Sequence, residues 1–95
     1  MTIDYCLKNT DEAEFNQLML DTGLCVEVTE GEDTTIVPAS YEVLIDRIGP
    51  ITMNDVTYPE YYSNLRLLFE PTEDQATALT PFIIDPSSPH YRTWA

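Results

Sequence analysis

The sequence contains little glycine, little histidine and few basic residues. Its 95 residues include three glycines, one histidine and four lysines or arginines. Phosphate-cradling loops need closely spaced glycines, and the sequence has no P-loop, dinucleotide-binding fingerprint or G-x-S-x-G motif. Direct binding to nucleic acid is disfavoured, because Lys and Arg make most contacts to phosphates. The composition therefore argues against nucleotide-dependent enzymes and nucleic-acid-binding domains.

Cysteine and long apolar runs are also scarce. Cys6 and Cys25 form no C-x-x-C pattern, and we expect both to be reduced thiols. The longest apolar runs, such as 67–69 and 82–84, are far shorter than the roughly 18 residues of a membrane span. The first residues lack the basic and apolar regions of a signal peptide. We therefore expect a cytosolic protein that does not enter a membrane.

Acidic residues are abundant. Seventeen Asp and Glu give a net charge of −13, and 11 of them lie in the first 48 residues. One interpretation is a solvated surface that keeps the protein soluble. The other is a surface that is complementary to a basic partner. The composition is compatible with both.

Hydrophobic periodicity predicts a single domain over residues 1–95, with an extended tail from about residue 86. Alternation with a period of two predicts strands, and spacings of three and four residues predict helices. The predicted strands are 3–8, 24–28, 34–37, 41–46, 63–69 and 82–84; the predicted helices start near Asn9–Thr10 and at the capping box Thr72–Gln75. Gly49-Pro50 should interrupt the fourth strand, and 52–60 should be a loop. The strand 63–69 has apolar residues on both faces, so it should be central in its sheet.

The predicted fold class is α+β. The element order corresponds to a βαββαβ, ferredoxin-like, two-layer sandwich with an extra hairpin after the first helix. In this arrangement two helices pack on an antiparallel sheet.

Candidate catalytic and metal-binding groups are few. His90 is the one histidine, and a base in a proline-flanked tail lacks the neighbouring groups that a catalytic site needs. The acidic stretch 27–33 offers carboxylates to a cation, but it does not fit the spacing of a calcium loop, and an acidic hairpin turn is far more often simply solvated. No His or Cys spacing suggests zinc. We therefore expect a binding protein without enzymatic activity, cofactor, metal or small-molecule substrate.

Aromatic residues cluster in two places that are candidates for partner binding. Tyr and Trp, together with Arg, are enriched at the energetic centres of protein interfaces. The alternative is that these rings pack on the domain's own sheet. The candidate partner-binding residues are Tyr58, Tyr61, Tyr62, Arg66, Tyr91, Arg92 and Trp94.

The second half of the chain resembles a known group of proteins. The matching segments are Ile-Asp-Arg-Ile-Gly-Pro-Ile at 45–51, Tyr-Pro-Glu-Tyr-Tyr-Ser-Asn-Leu-Arg-Leu at 58–67, Leu-Thr-Pro-Phe at 79–82, Pro-Ser-Ser-Pro at 86–89 and Arg-Thr-Trp-Ala at 92–95. In this order they resemble small uncharacterised proteins of tailed bacteriophages and prophages, encoded near tail-fibre genes. The resemblance covers roughly the last 50 residues and brings no catalytic residue or cofactor with it. Asn64 and Arg66 match recurring positions, as do Arg92 and Trp94. Arg66 would pair with an acidic neighbour on the sheet or contact a partner, and Asn64 would fix a loop.

The resemblance implies a virion component or an assembly helper for the tail. The expected partner is a phage tail or fibre protein, or a second copy of the chain, bound through the aromatic residues and an exposed sheet edge. The protein would act in the host cytoplasm during assembly, or in the tail of the virion. The alternative function, suggested by the acidity, is a DNA-mimicking phage inhibitor of a host nucleic-acid-binding or defence protein.

Overall fold

The computed structural model describes residues 2–84, in which five strands form two antiparallel sheets beside two α-helices. In chain order the elements are β1 (Ile3–Asn9), α1 (Glu12–Asp21), β2 (Cys25–Glu30), β3 (Asp33–Pro38), β4 (Val43–Met53), β5 (Val56–Leu67) and α2 (Glu73–Leu79), followed by a 3-10 turn at Thr80–Phe82. The predicted α+β class is confirmed. The predicted tail from residue 86 lies outside the described residues.

The larger sheet has the strand order β1-β5-β4, so β5 is its central strand, as the apolar character of both faces predicted. β1 pairs with β5 from Ile3 opposite Leu67 to Asn9 opposite Tyr61. β4 pairs with the other edge of β5, starting with Val43 opposite Leu67. The paired residues of β1 and β5 therefore lie 52 to 64 positions apart in the sequence.

The predicted loop at 52–60 is wrong, because most of it belongs to a long hairpin. β4 continues to Met53, β5 begins at Val56, and Asn54 and Asp55 form the two-residue connection between them. Gly49 does not end β4. It occupies a register shift with φ +79°, and a glycine in this left-handed region lets the strand bulge and continue.

The predicted ferredoxin-like topology is not confirmed. That fold needs four strands in one sheet, whereas β2 and β3 form a separate two-stranded hairpin among residues 2–84. The predicted strand 82–84 contributes an isolated bridge between Ile83 and Leu7. Phe82 lies with Pro81 in the 3-10 turn, so the extended backbone begins at Ile83 rather than at residue 82.

Both helices begin with side-chain caps. The cap of α1 is Asp11, which directly follows the predicted Asn9–Thr10 and accepts a hydrogen bond from the backbone N–H of Glu14 (2.9 Å). Thr72 and Gln75 form the predicted capping box of α2, with bonds of 2.9 and 3.1 Å. Each cap satisfies backbone N–H groups that have no partner within the helix.

The two helices pack on one face of the larger sheet, which we call the inner face. Alternation along β5 places Tyr61, Leu65 and Leu67 on this face. They share a buried core with residues of β1, β4 and both helices: Leu7, Phe15, Leu18, Met19, Val43 and Leu79. The predicted amphipathic face of α1 is thus confirmed.

The opposite face, which we call the outer face, carries the remaining side chains of β1, β4 and β5. Its apolar cluster consists of Ile51 and Tyr62, with Cys6, Ile48, Tyr58 and Ile84 packed against them. No residue of either helix belongs to this cluster among residues 2–84. The sheet therefore separates two apolar clusters, and the inner one is the larger.

Candidate protein-binding surfaces

The β2–β3 hairpin, which we call the arm, exposes apolar side chains on a two-stranded ribbon. Val26 and Val28 are each 44% exposed, on the same face of β2. Their cross-strand neighbours are Val37 and Thr35 on β3. Apolar surface in contact with water is unfavourable, and burying these valines against a partner would remove that cost. The arm therefore offers an apolar strip to a partner.

The base of the arm is anchored to the domain. Cys25 is 2% exposed and belongs to the inner core, and the Ala39 N–H donates to the Leu24 carbonyl (2.9 Å). Burial raises the pKa of the Cys25 thiol, since the apolar surroundings disfavour the thiolate. From Val26 onward every residue of β2 is exposed. The arm is thus a fixed ribbon with a solvent-exposed end.

Carboxylates surround the apolar strip. The shallow groove on its face has a volume of about 360 Å³ and is lined by Val28, Glu30, Asp33, Thr35 and Val37. Glu27 lies on the opposite face by strand alternation, and Glu32 is exposed in the turn. Apolar contact combined with negative charge suits a segment that alternates apolar and basic residues.

A second groove of about 290 Å³ lies between the arm and α1, and Arg47 is the basic residue among those that line it. The Arg47 guanidinium donates to Asn16 Oδ1 (2.9 Å), lies 5.1 Å from the centre of the Phe15 ring and is 3.9 Å from a Glu12 carboxylate oxygen. These contacts fix β4 to α1 across the edge of the inner core. Arg47 therefore already has partners within the domain.

Two of the predicted partner-binding tyrosines are buried. Tyr61 is 8% exposed and its ring centre lies 5.5 Å from that of Phe15, so it belongs to the inner core. Tyr62 is 1% exposed on the outer face, and its hydroxyl donates to Glu60 (3.5 Å). Burial and, secondarily, the Glu60 carboxylate raise the pKa of Tyr62. Both rings serve the domain's own packing, and Tyr58 is half-buried beside them.

Arg66 has the acidic neighbour that the sequence suggested as one of two alternatives. Its guanidinium makes two hydrogen bonds to the Asp4 carboxylate across β1 and β5, at 2.7 and 3.1 Å. These bonds lower the pKa of Asp4 and raise that of Arg66. The pair therefore joins β1 and β5 on the outer face, near the start of β1 and the end of β5.

Asn64 is the buried polar residue of the outer face. It is 1% exposed, its amide donates to Asp46 on β4 (3.2 Å), and its carbonyl oxygen accepts the Cys6 thiol of β1 (3.6 Å). This one side chain therefore joins all three strands of the larger sheet, instead of fixing a loop as the sequence suggested. The predicted partner-binding residues Tyr91, Arg92 and Trp94 lie outside the described residues, as does His90.

The exposed strip of the arm was not predicted from the sequence. Val26 and Val28 were predicted to alternate in a strand, but the alternation does not reveal which face is covered. The acidic residues near the valines, Glu27 and Glu30, could have indicated their exposure. A two-stranded ribbon this short cannot enclose a core of its own.

Among residues 2–84, no three His, Cys, Asp or Glu side chains are grouped to hold a metal ion, the carboxylates of 27–33 included. No helix within this range is long and apolar enough to cross a membrane. No protein-family model matches the chain, and no curated protein or solved structure is significantly similar to it. Its function must therefore be argued from its own surfaces.

Proposed function

We propose that this chain is a phage tail-associated structural or adaptor protein that works by binding another protein. The observation that carries the binding role is the arm, where Val26 and Val28 remain exposed on an acidic ribbon. The resemblance of residues 45–95 to small proteins encoded near tail-fibre genes supports the tail assignment. The partner would be a tail or fibre protein, met in the host cytoplasm during assembly and retained in the virion if the chain is a component.

A second copy of the chain is a poorer partner for the arm. Two chains of net charge −13 repel each other, and the carboxylates beside the strip would face like charges. A basic surface on a different protein removes this repulsion. We therefore propose a hetero-complex rather than a homodimer through the arm.

The experiment compares virions assembled with the natural chain and with arm variants. Val26→Thr/Val28→Thr keeps the branched strand residues but removes apolar contact, and Val56→Thr is the matched control because Val56 is 51% exposed elsewhere. We expect the double variant to fall at least about tenfold in quantitative mass spectra of purified particles or of tail-assembly intermediates, the change given by a loss of about 1.4 kcal/mol. The control should remain at the natural level.

Two results would count against this proposal. The first is absence of the natural chain from both particles and tail-assembly intermediates, which would remove the tail role. The second is an unchanged amount of the double variant, with urea unfolding equal to that of the natural chain. That outcome would remove the arm as the binding surface.

A second candidate function is inhibition of a host nucleic-acid-binding or defence protein, with carboxylates replacing phosphates. The observation that favours it is the row of exposed acids at the end of the arm, which includes Glu30 and Glu32. Such a complex should weaken steeply between low and roughly 0.15 M salt. Glu30→Gln/Glu32→Gln should reduce this salt dependence, whereas Glu42→Gln/Glu70→Gln changes the net charge equally and should not. A complex that is indifferent to salt contradicts this candidate.

A further inference from the structure

The outer face is buried at its centre and exposed at its rim. Tyr62 and Asn64 are each 1% exposed, whereas Leu44 is 38% exposed and Lys8 is exposed on the same face. Neither α1 nor α2 contributes to the cluster around Tyr62. The central side chains of an uncovered three-stranded sheet keep much of their surface in water. Cys6, Ile48, Tyr58 and Ile84 surround Tyr62 within the face, and the near-complete burial of Tyr62 and Asn64 points to a further cover over its middle.

The position of Ile84 indicates where that cover comes from. Its backbone N–H donates to the Cys6 carbonyl (2.9 Å) at the edge of β1, and its side chain packs in the outer-face cluster. Pro86 has no N–H to continue a ladder along β1. The chain thus reaches the outer face at Ile84, beside the edge of β1.

We propose that the outer face is the docking site of the chain's own segment 85–95. Tyr91 and Trp94 supply the apolar rings that would cover Tyr62, and Arg92 is attracted by the carboxylates on this face, which include Asp46. Eleven residues extend up to about 36 Å, whereas three strands are only about 10 Å across. The reach is therefore ample, and this docking does not depend on the proposed tail function.

The same rings cannot cover the outer face and contact a partner at one time. An intramolecular dock removes Tyr91 and Trp94 from the surface until something displaces the segment. The binding role then falls to the arm, on the other sheet of the molecule.

The two cysteines test this dock in the full chain. Cys6 lies on the outer face beside Asn64, while Cys25 lies in the inner core. Thiol reactivity depends on access, so Tyr91→Ala/Trp94→Ala should speed N-ethylmaleimide labelling of Cys6 by about tenfold and leave Cys25 unchanged. Tyr41→Ala is the control, because Tyr41 is 85% exposed outside the strands. Peptide mass spectrometry measures each thiol separately.

Trp94 is the only tryptophan, so fluorescence of the unaltered chain gives a second measurement. We expect acrylamide to quench Trp94 much less in the native chain than in the urea-unfolded chain. Tyr58→Ala removes a half-buried ring from the outer face and should raise the quenching, whereas Tyr41→Ala should not. This reciprocal effect requires contact between the segment and the face.

Three outcomes would overturn the dock. One is native Trp94 quenching equal to that of the unfolded chain. Another is Cys6 labelling unchanged in Tyr91→Ala/Trp94→Ala. The third is protection of Cys6 that appears only as protein concentration rises, which would make a second copy the occupant. If the double variant unfolds, both thiols react equally, and the quenching of the unaltered chain decides.

Discussion

The β4–β5 turn provides a stability test that the sequence did not suggest. Asn54 and Asp55 connect the strands with φ of 53° and 64°, and they are the two non-glycine residues of the range 2–84 with positive φ. Positive φ at both central positions is typical of a type I′ turn, for which Asn-Gly is the favoured pair. Asp55 therefore occupies a position that glycine adopts without strain.

Replacing Asp55 by glycine should stabilise the protein. A side chain in the left-handed region costs about 1–2 kcal/mol, somewhat less for Asp, and glycine removes this cost. Glycine also raises the conformational entropy of the unfolded chain, which lowers the free energy of unfolding by about 0.4–1 kcal/mol. We expect Asp55→Gly to raise the free energy of unfolding by about 0.5 kcal/mol, or about 2–4 °C in Tm. Asp55→Ala keeps the strain without Asp's local hydrogen bonding and should lower it by about 0.5–1 kcal/mol.

The control is Asp33→Gly, which removes the same charge from the other hairpin. Asp33 is an exposed strand residue without positive φ, so glycine there should destabilise by roughly 0.5 kcal/mol. Urea unfolding followed by circular dichroism measures all three variants. Equal shifts for Asp55→Gly and Asp33→Gly would refute the reasoning, because charge removal would then explain both.

Three further predictions concern a helix cap and two ionisable groups. Thr72→Ala should lower the free energy of unfolding in urea by about 1 kcal/mol, because the backbone N–H of Gln75 loses the hydroxyl that accepts its hydrogen bond. Thr72→Ser keeps a hydroxyl and should lower it much less. The pKa of Asp4 is lowered in the folded protein, so its contribution is present above about pH 4 and is lost as pH falls through that lowered pKa. Asp4→Asn should therefore lower Tm more at pH 7 than at pH 2, and an equal loss at both would contradict the ion pair. The raised pKa of Tyr62 predicts stability that is lost as pH rises from about 10 through that value. Tyr62→Phe should flatten this alkaline loss in thermal melts, and Tyr41→Phe should not.

Elements with local signals could be predicted from the sequence. The capping box Thr72–Gln75 and the apolar spacing from Phe15 to Met19 each depend on residues within one or two turns, and both lie where expected. The central place of β5 followed from apolar residues on both faces. In each case a short stretch of sequence contains the physical cause.

Features that depend on distant packing could not be predicted. The β4–β5 hairpin lacks an Asn-Gly turn and contains Gly49-Pro50, so local rules favoured a loop while pairing with β5 favoured a strand. Tyr61 and Tyr62 are of a residue type that is common at interfaces. Their burial, which depends on what covers the two faces of the sheet, shows that they pack within the domain. The arm was recognised as a hairpin, but its exposure depends on β2 and β3 not joining the larger sheet.

The pairing of β1 with β5 also determines when the domain can fold during synthesis. Asp4 must wait for Arg66, 62 residues later, before its strand has a neighbour. At about 5–20 residues synthesised per second, this delay is about 3–12 s. During it the apolar residues of β1 have no neighbouring strand to pack beside. The β4–β5 pairing is local in sequence, so we expect this hairpin to form before β1 docks on it. The 11 acidic residues of the first 48 give this part of the chain a negative charge, and we expect the resulting repulsion between nascent chains to limit their aggregation during this interval.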